Sequence, residues 1–114
     1  TDYNTKDGSC VRDFIHVSDI SSAHIMALEK LDKYQNNIYN IGTNHGYTIL
    51  ELIDKAETIH SAKINYSISE RRPGDPSSLV ASYEKIQNEL GWSPIFSLED
   101  ILISTMNWRK APVY

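Results

Sequence analysis

Apolar positions change their period along the chain, and each change predicts an element. Residues 11–17 form a short run that reads as a strand or extended segment. Ser18 or Asp19 can then cap a helix running to about Leu31, with Ile20, Ala23, Ala27 and Leu31 on one stripe. Residues 37–41 carry Ile38, Tyr39 and Ile41, end at Gly42, and predict a short strand. Thr48-Ile49-Leu50-Glu51 is a capping box. Its Thr hydroxyl takes an N–H three residues on, and its Glu reaches back to the Thr N–H. Leu52, Ile53, Ala56 and Ile59 continue that helix. Residues 63–68 alternate with period two and predict a half-buried strand. Ser82 caps a short helix ending at Leu90, Gly91 stands just past its end, and Pro94 prevents continuation. Ser97-Leu98-Glu99-Asp100 opens a last helix, with Leu98, Ile101, Leu102, Thr105 and Trp108 on one side. The order is β-α-β-α-β-loop-α-α. It predicts an α/β chain of short strands and about four helices, without a complete doubly wound sheet.

Composition narrows the function classes. A length of 114 residues suits one domain or a piece of a larger one. Hydrophobic residues at 40% and charged residues at 23% predict a globular chain. Eleven Lys and Arg against fifteen Asp and Glu leave a net charge of −4, which argues against non-specific nucleic-acid binding. No apolar run approaches the roughly 20 residues of a membrane span, and no signal peptide is read at the start. Cys10 is the single cysteine, so no internal disulfide forms, and a reducing cytoplasm fits best. The chain opens at Thr1 without an initiator Met, which suggests processing or truncation of a longer protein.

Candidate chemistry lies with arginine. Four of the eleven cations are Arg, and three of them stand in two places, Arg12 and Arg71-Arg72. Arginine suits planar, bidentate contact with phosphate or carboxylate. Arg71 and Arg72 beside Pro73-Gly74-Asp75 are either loop charges paired with Glu70 and Asp75 or one wall of an anion site. Arg12 is either an ordinary ion pair with Asp13 or the second wall. A diphosphate suits two such walls, and Asp75 can accept hydrogen bonds from a ribose hydroxyl. The four histidines, His16, His24, His45 and His60, have no partner at helical metal-binding spacing, so no metal site is expected. His16, in an apolar run, reads as a hydrogen-bonded core or edge histidine. No nucleophile motif and no Gly-x-Gly-x-x-Gly pattern occurs.

The stretch Asp7-Gly8-Ser9-Cys10-Val11-Arg12-Asp13-Phe14-Ile15-His16-Val17-Ser18-Asp19-Ile20 strongly resembles the DGT-x-VRDYIHV-x-DL segment of UDP-glucose 4-epimerases, which are extended short-chain dehydrogenase/reductases. Ala23-His24, Tyr39-Asn40-Ile41-Gly42-Thr43, Arg71-Arg72-Pro73-Gly74-Asp75, Glu89-Leu90-Gly91-Trp92-Ser93-Pro94 and Ser97-Leu98-Glu99-Asp100 continue the resemblance in order.

The resemblance implies an NAD-dependent epimerisation at C4 of a UDP-sugar, through a 4-keto intermediate. It implies that residues 1–114 are the C-terminal UDP-sugar-binding portion, and that a Rossmann domain outside this chain binds NAD. Arg12 and Arg72 match the diphosphate-binding arginines and Asp75 the ribose acceptor, while Arg71 is expected to be structural. The position four residues after Asp75 lines the sugar pocket and is often Tyr or Cys in that family. Here it is Leu79, which bears on whether an N-acetyl group is accommodated. No Tyr in the chain has Lys four residues later, so the family's general base is missing and the chain alone is expected to be inactive. The resemblance leaves two other readings open. One is another nucleotide-sugar enzyme of the superfamily: an N-acetylglucosamine or uronate 4-epimerase, a dehydratase or a decarboxylase. The other is a non-catalytic module that only binds UDP-sugars. Residues 39–42 are expected to pack on the edge of the absent Rossmann sheet. The uncovered edge is expected to make the chain dimerise, swap strands or loosen.

Overall fold

The computed structural model describes residues 2–33 and 37–112. In chain order the elements are β1 (Val11–Arg12), α1 (Val17–Glu29), β2 (Tyr47–Thr48), α2 (Ile49–His60), β3 (Ser78–Leu79), α3 (Glu84–Leu90) and α4 (Leu98–Lys110). β1 is the middle strand of a small mixed sheet. It runs antiparallel to β2, with Val11 opposite Thr48, and parallel to β3, with Arg12 opposite Leu79. Four helices and three short strands form the expected partial α/β fold, and the described residues form no doubly wound parallel sheet.

Both capping boxes form. Thr48 Oγ1 accepts the Glu51 N–H at 3.1 Å, and Glu51 Oε2 accepts the Thr48 N–H at 2.9 Å. Ser97 and Asp100 repeat the exchange at α4, at 3.1 and 2.8 Å. Gly91 ends α3 in a left-handed conformation, with φ of 80°. α3 itself starts one residue later than its predicted cap. Tyr83 is the N-cap, although Ser82 Oγ still accepts the Glu84 N–H at 3.2 Å.

The cap of α1 is His16, in place of the expected Ser18 or Asp19. Its Nδ1 accepts the Ser18 N–H at 3.0 Å, while Nε2 lies 2.9 Å from Ser104 Oγ on α4. The ring stacks on Phe96 with centroids 4.4 Å apart. His16 is thus the buried, hydrogen-bonded histidine that its apolar surroundings predict. Asp19 is released from capping for a longer-range task. It is only 2% exposed, and its carboxylate oxygens accept the N–H groups of Ile95 at 3.1 Å and Phe96 at 3.2 Å. The Trp92 indole N–H donates to Ser22 Oγ at 2.9 Å and to the Asp19 carbonyl at 3.2 Å. Trp92, Ile86, Leu90 and Ala23 form the core, with Ile15, Met26, Ala27, Tyr39, Ile41 and Tyr83 packed around it. This core fastens α1 to α3 and to the segment that enters α4.

Three strand expectations need correction. The run 11–17 pairs only at Val11 and Arg12, because the next residue leaves the ladder: the Asp13 carboxylate accepts the Ala81 N–H at 3.0 Å. Residues 37–41 are not part of a strand, and none of the described strands includes them. Side chains hold them instead. Tyr39 donates to Glu89 Oε2 at 2.6 Å, and Lys85 Nζ to the Ile38 carbonyl at 2.9 Å. Residues 63–68 also form no ladder, and Ile64, Tyr66 and Ile68 are exposed. Period-two patterning makes a strand only where a neighbour supplies hydrogen bonds and an apolar face. β3, which shows no alternation, forms because β1 offers it an edge, with the Val11 N–H donating to the Ser77 carbonyl at 2.8 Å.

Candidate functional site

The site is built where β1 meets the turn before β3. Arg72-Pro73-Gly74-Asp75 is a tight turn, closed by the Asp75 N–H donating to the Arg72 carbonyl at 3.2 Å. Pro73 restricts the first central position, and Gly74 supplies the φ of 78° that the second requires. The turn swings the Asp75 carboxylate back over β1. There Arg12 Nη2 donates to Asp75 Oδ1 at 2.5 Å and to the Pro76 carbonyl at 3.0 Å. Arg12 Nη1 donates to the Val11 carbonyl at 2.6 Å. The Arg12 and Asp75 side chains are 21% and 23% exposed, so their pair is largely shielded from solvent. Leu79 faces Arg12 across the parallel ladder and is 59% exposed.

The four sequence-predicted residues therefore converge. Arg12 and Asp75 touch, Arg72 and Asp75 close one turn, and Leu79 is the register partner of Arg12. The expected Arg12–Asp13 pair does not form, because Asp13 is engaged by Ala81. Arg71 is tied to the start of the chain: its Nε donates to Asp2 Oδ1 at 2.6 Å, and its Nη2 donates to the Asp2 carbonyl. Its guanidinium lies 4.0 Å from the Tyr3 ring centroid, a cation–π contact.

Tyr3 is the member of the site that sequence reasoning missed. Its hydroxyl donates to Asp75 Oδ2 at 3.1 Å, across 72 positions of chain. No spacing rule links residues so far apart. Burial, together with the Asp75 carboxylate it donates to, pushes the Tyr3 phenol above its usual pKa. The Arg71 guanidinium holds Asp2 below the usual carboxylate range. A second anchor holds the loop that leads into β1. Asp7 Oδ1 accepts the Ser9 N–H at 2.9 Å and the Ser9 hydroxyl at 2.8 Å, and Asp7 Oδ2 accepts the Thr48 hydroxyl. Burial works against the Asp7 carboxylate, but these hydrogen bonds outweigh it and keep the group below its usual pKa.

Beside the turn lies an open cleft of about 350 Å³, walled by Tyr3, Cys10, Leu50, Tyr66, Arg72 and Asp75 among others. Arg12 and Leu79 are not part of that wall. Chemically the arrangement offers an exposed guanidinium at Arg72, a carboxylate at Asp75, and a second guanidinium at Arg12. Arg12 uses three of its N–H groups on protein oxygens, so an anion must share its remaining donors or displace Asp75.

The profile of the GDP-mannose 4,6 dehydratase family matches residues 2–105. The UDP-glucose 4-epimerase of Bifidobacterium longum is 41% identical over 108 residues, covering 95% of this chain and 32% of that protein. The UDP-glucose 4-epimerase of Halalkalibacterium halodurans is 44% identical over 111 residues, covering 96% of this chain and 33% of its own length. The chain thus spans about a third of the length of these relatives. The crystal structure of the Bifidobacterium longum enzyme in complex with NAD+ and UDP superposes with a TM-score of 0.91 at 40% identity, over 97% of this chain and 33% of that one. The UDP-Glc/GlcNAc 4-epimerase from Campylobacter jejuni gives a TM-score of 0.83 at 43% identity, over 96% of this chain and 33% of that one. With the family profile spanning all seven elements but the end of α4, this chain belongs to the GDP-mannose 4,6 dehydratase family.

Proposed function

We propose that this chain is the C-terminal, UDP-sugar-binding portion of an NAD-dependent UDP-glucose 4-epimerase, an isomerase that interconverts UDP-glucose and UDP-galactose. Arg12 and Arg72 bind the diphosphate, Asp75 accepts a ribose hydroxyl, and Leu79 borders the sugar. The observation that carries this reading is the convergence of those residues on one sheet edge and one turn, in a chain about 40% identical to UDP-glucose 4-epimerases. The intact protein is read as a cytoplasmic homodimer.

NAD belongs to residues outside this chain. The described helices of eight or more residues close their own N-termini: α1 through His16, α2 through Thr48 and Ser9, and α4 through Ser97. A dinucleotide pyrophosphate needs an open, glycine-rich helix start, so the residues present do not fit that cofactor. No Tyr in the chain has Lys four residues later, so this reading assigns proton transfer to residues outside it as well. The part assigned to this chain is binding and orientation.

The likeness to the Campylobacter jejuni UDP-Glc/GlcNAc 4-epimerase favours a second reading of the substrate, in which N-acetylated UDP-sugars also enter. Calorimetric titration of UDP, UDP-galactose and UDP-N-acetylglucosamine into the intact protein, at low and moderate salt, tests both. Binding of UDP that weakens with salt and is lost at least tenfold in Arg72→Ala, but not in Lys85→Ala, is the expected result. Unchanged affinity in Arg72→Ala overturns the assignment.

A further inference from the structure

The two oxygens of Asp75 have different partners. Oδ1 is held by Arg12 at 2.5 Å, and Oδ2 by the Tyr3 hydroxyl at 3.1 Å. Tyr3 is half-buried, and its ring carries the Arg71 guanidinium at 4.0 Å. Arg71 is in turn fixed to Asp2 on the far side. A nucleotide diphosphate competes with Asp75 for Arg12, because phosphate and carboxylate suit the same planar donors. Once that exchange occurs, Oδ1 loses its partner, and a ligand hydroxyl can take it. The carboxylate then stays in place only if something holds the other oxygen. The structure gives that task to one group.

We propose that Tyr3 is a positioning residue of the nucleotide site. Its hydroxyl keeps Asp75 Oδ2 while Oδ1 is exchanged between Arg12 and a ribose hydroxyl, and Arg71, stacked on its ring, holds the phenol in place. This rests on the reading of Arg12, Arg72 and Asp75 given above. It assigns Tyr3 no contact with the ligand. Its effect reaches only the part of the ligand that Asp75 touches, and the diphosphate contacts with the arginines do not depend on it.

Tyr3→Phe removes the hydroxyl and leaves the ring under Arg71. In the intact, NAD-loaded protein, calorimetry with UDP and with inorganic pyrophosphate separates the two halves of the site. The expected result is UDP binding weakened about five- to tenfold, with pyrophosphate affinity unchanged or slightly raised. Equal losses for both probes make Tyr3 a general structural support and overturn the proposal. Unchanged UDP binding in Tyr3→Phe, with Arg72→Ala still defective, overturns it while the site assignment stands. Unchanged UDP binding in both Arg12→Ala and Arg72→Ala overturns the site assignment and this proposal together.

Discussion

Arg12 and Asp75, 63 positions apart, share a hydrogen-bonded ion pair of 2.5 Å that ties β1 to the Arg72–Asp75 turn. Partly shielded pairs of this kind couple more strongly than exposed ones. A double-mutant cycle with Arg12→Ala and Asp75→Ala, read by denaturant unfolding without ligand, is expected to give a coupling of about 1–2 kcal/mol. A coupling below about 0.3 kcal/mol, within the error of such cycles, contradicts the claim that the pair holds the site together.

The buried Asp19 carboxylate takes two backbone N–H groups from residues 95 and 96, and no other described side chain accepts from either. Asp19→Ala leaves both donors without their acceptor. The expected cost is about 2 kcal/mol, given that Ile95 and Phe96 lie near solvent. Asp19→Asn, with one accepting oxygen, is expected to fall between wild type and Ala. Urea unfolding midpoints check the ranking.

Stability should fall on acidification below about pH 4.3, the ordinary Glu value. Hydrogen bonds hold several carboxylates below their usual range: Lys55 on Glu99, Lys6 and the Thr48 N–H on Glu51, and the Ser97 N–H on Asp100. A lowered folded pKa contributes stability that is complete above the unfolded value and lost as pH falls through the folded one. The Lys55 ammonium, raised by its bond to Glu99, gives the opposite limb, with stability lost as pH rises past the ordinary Lys value of about 10.4. Melting temperatures against pH should show both limbs. Glu99→Gln should flatten each of them, and limbs left unchanged in that variant contradict the Lys55–Glu99 contribution.

Along α1 and the turn after it, Val17, Ile25, Leu28 and Leu31 are exposed, as are Ile64, Tyr66 and Ile68 on the unpaired segment. Contiguous apolar surface and unpaired backbone favour association. The chain of residues 1–114, prepared alone, is expected to self-associate, with a weight-average mass in sedimentation equilibrium that rises with concentration. A single 13.0 kDa species at high micromolar concentration contradicts this.

The helices were legible because their signals are local. A capping box closes within four residues, as Thr48 with Glu51 and Ser97 with Asp100 do, and Gly91 ends α3 whatever surrounds it. The site was legible in part. Arg12, Arg72, Asp75 and Leu79 were named by motif, but the motif does not say which of them touch. Arg12 bonds to Asp75 and not to adjacent Asp13, because Asp13 is drawn to the Ala81 N–H. Tyr3 had no local signal at all.

What the sequence determines by itself is the set of elements whose hydrogen bonds and apolar stripes close within a turn or two. That set comprises the four helices, the caps at Thr48, Ser97 and Gly91, and the Pro73-Gly74 turn. Strands were left to tertiary structure, since a ladder needs a partner that no local pattern supplies. Residues 37–41 and 63–68 carry strand-like patterns and form no strand among the described elements, while Ser78 and Leu79 carry none and pair with β1. The same physics governs the site. An ion pair, a phenol on a carboxylate and a guanidinium over a ring act through a few ångströms of space, and only the folded chain brings Tyr3, Arg12, Arg71 and Asp75 within that range.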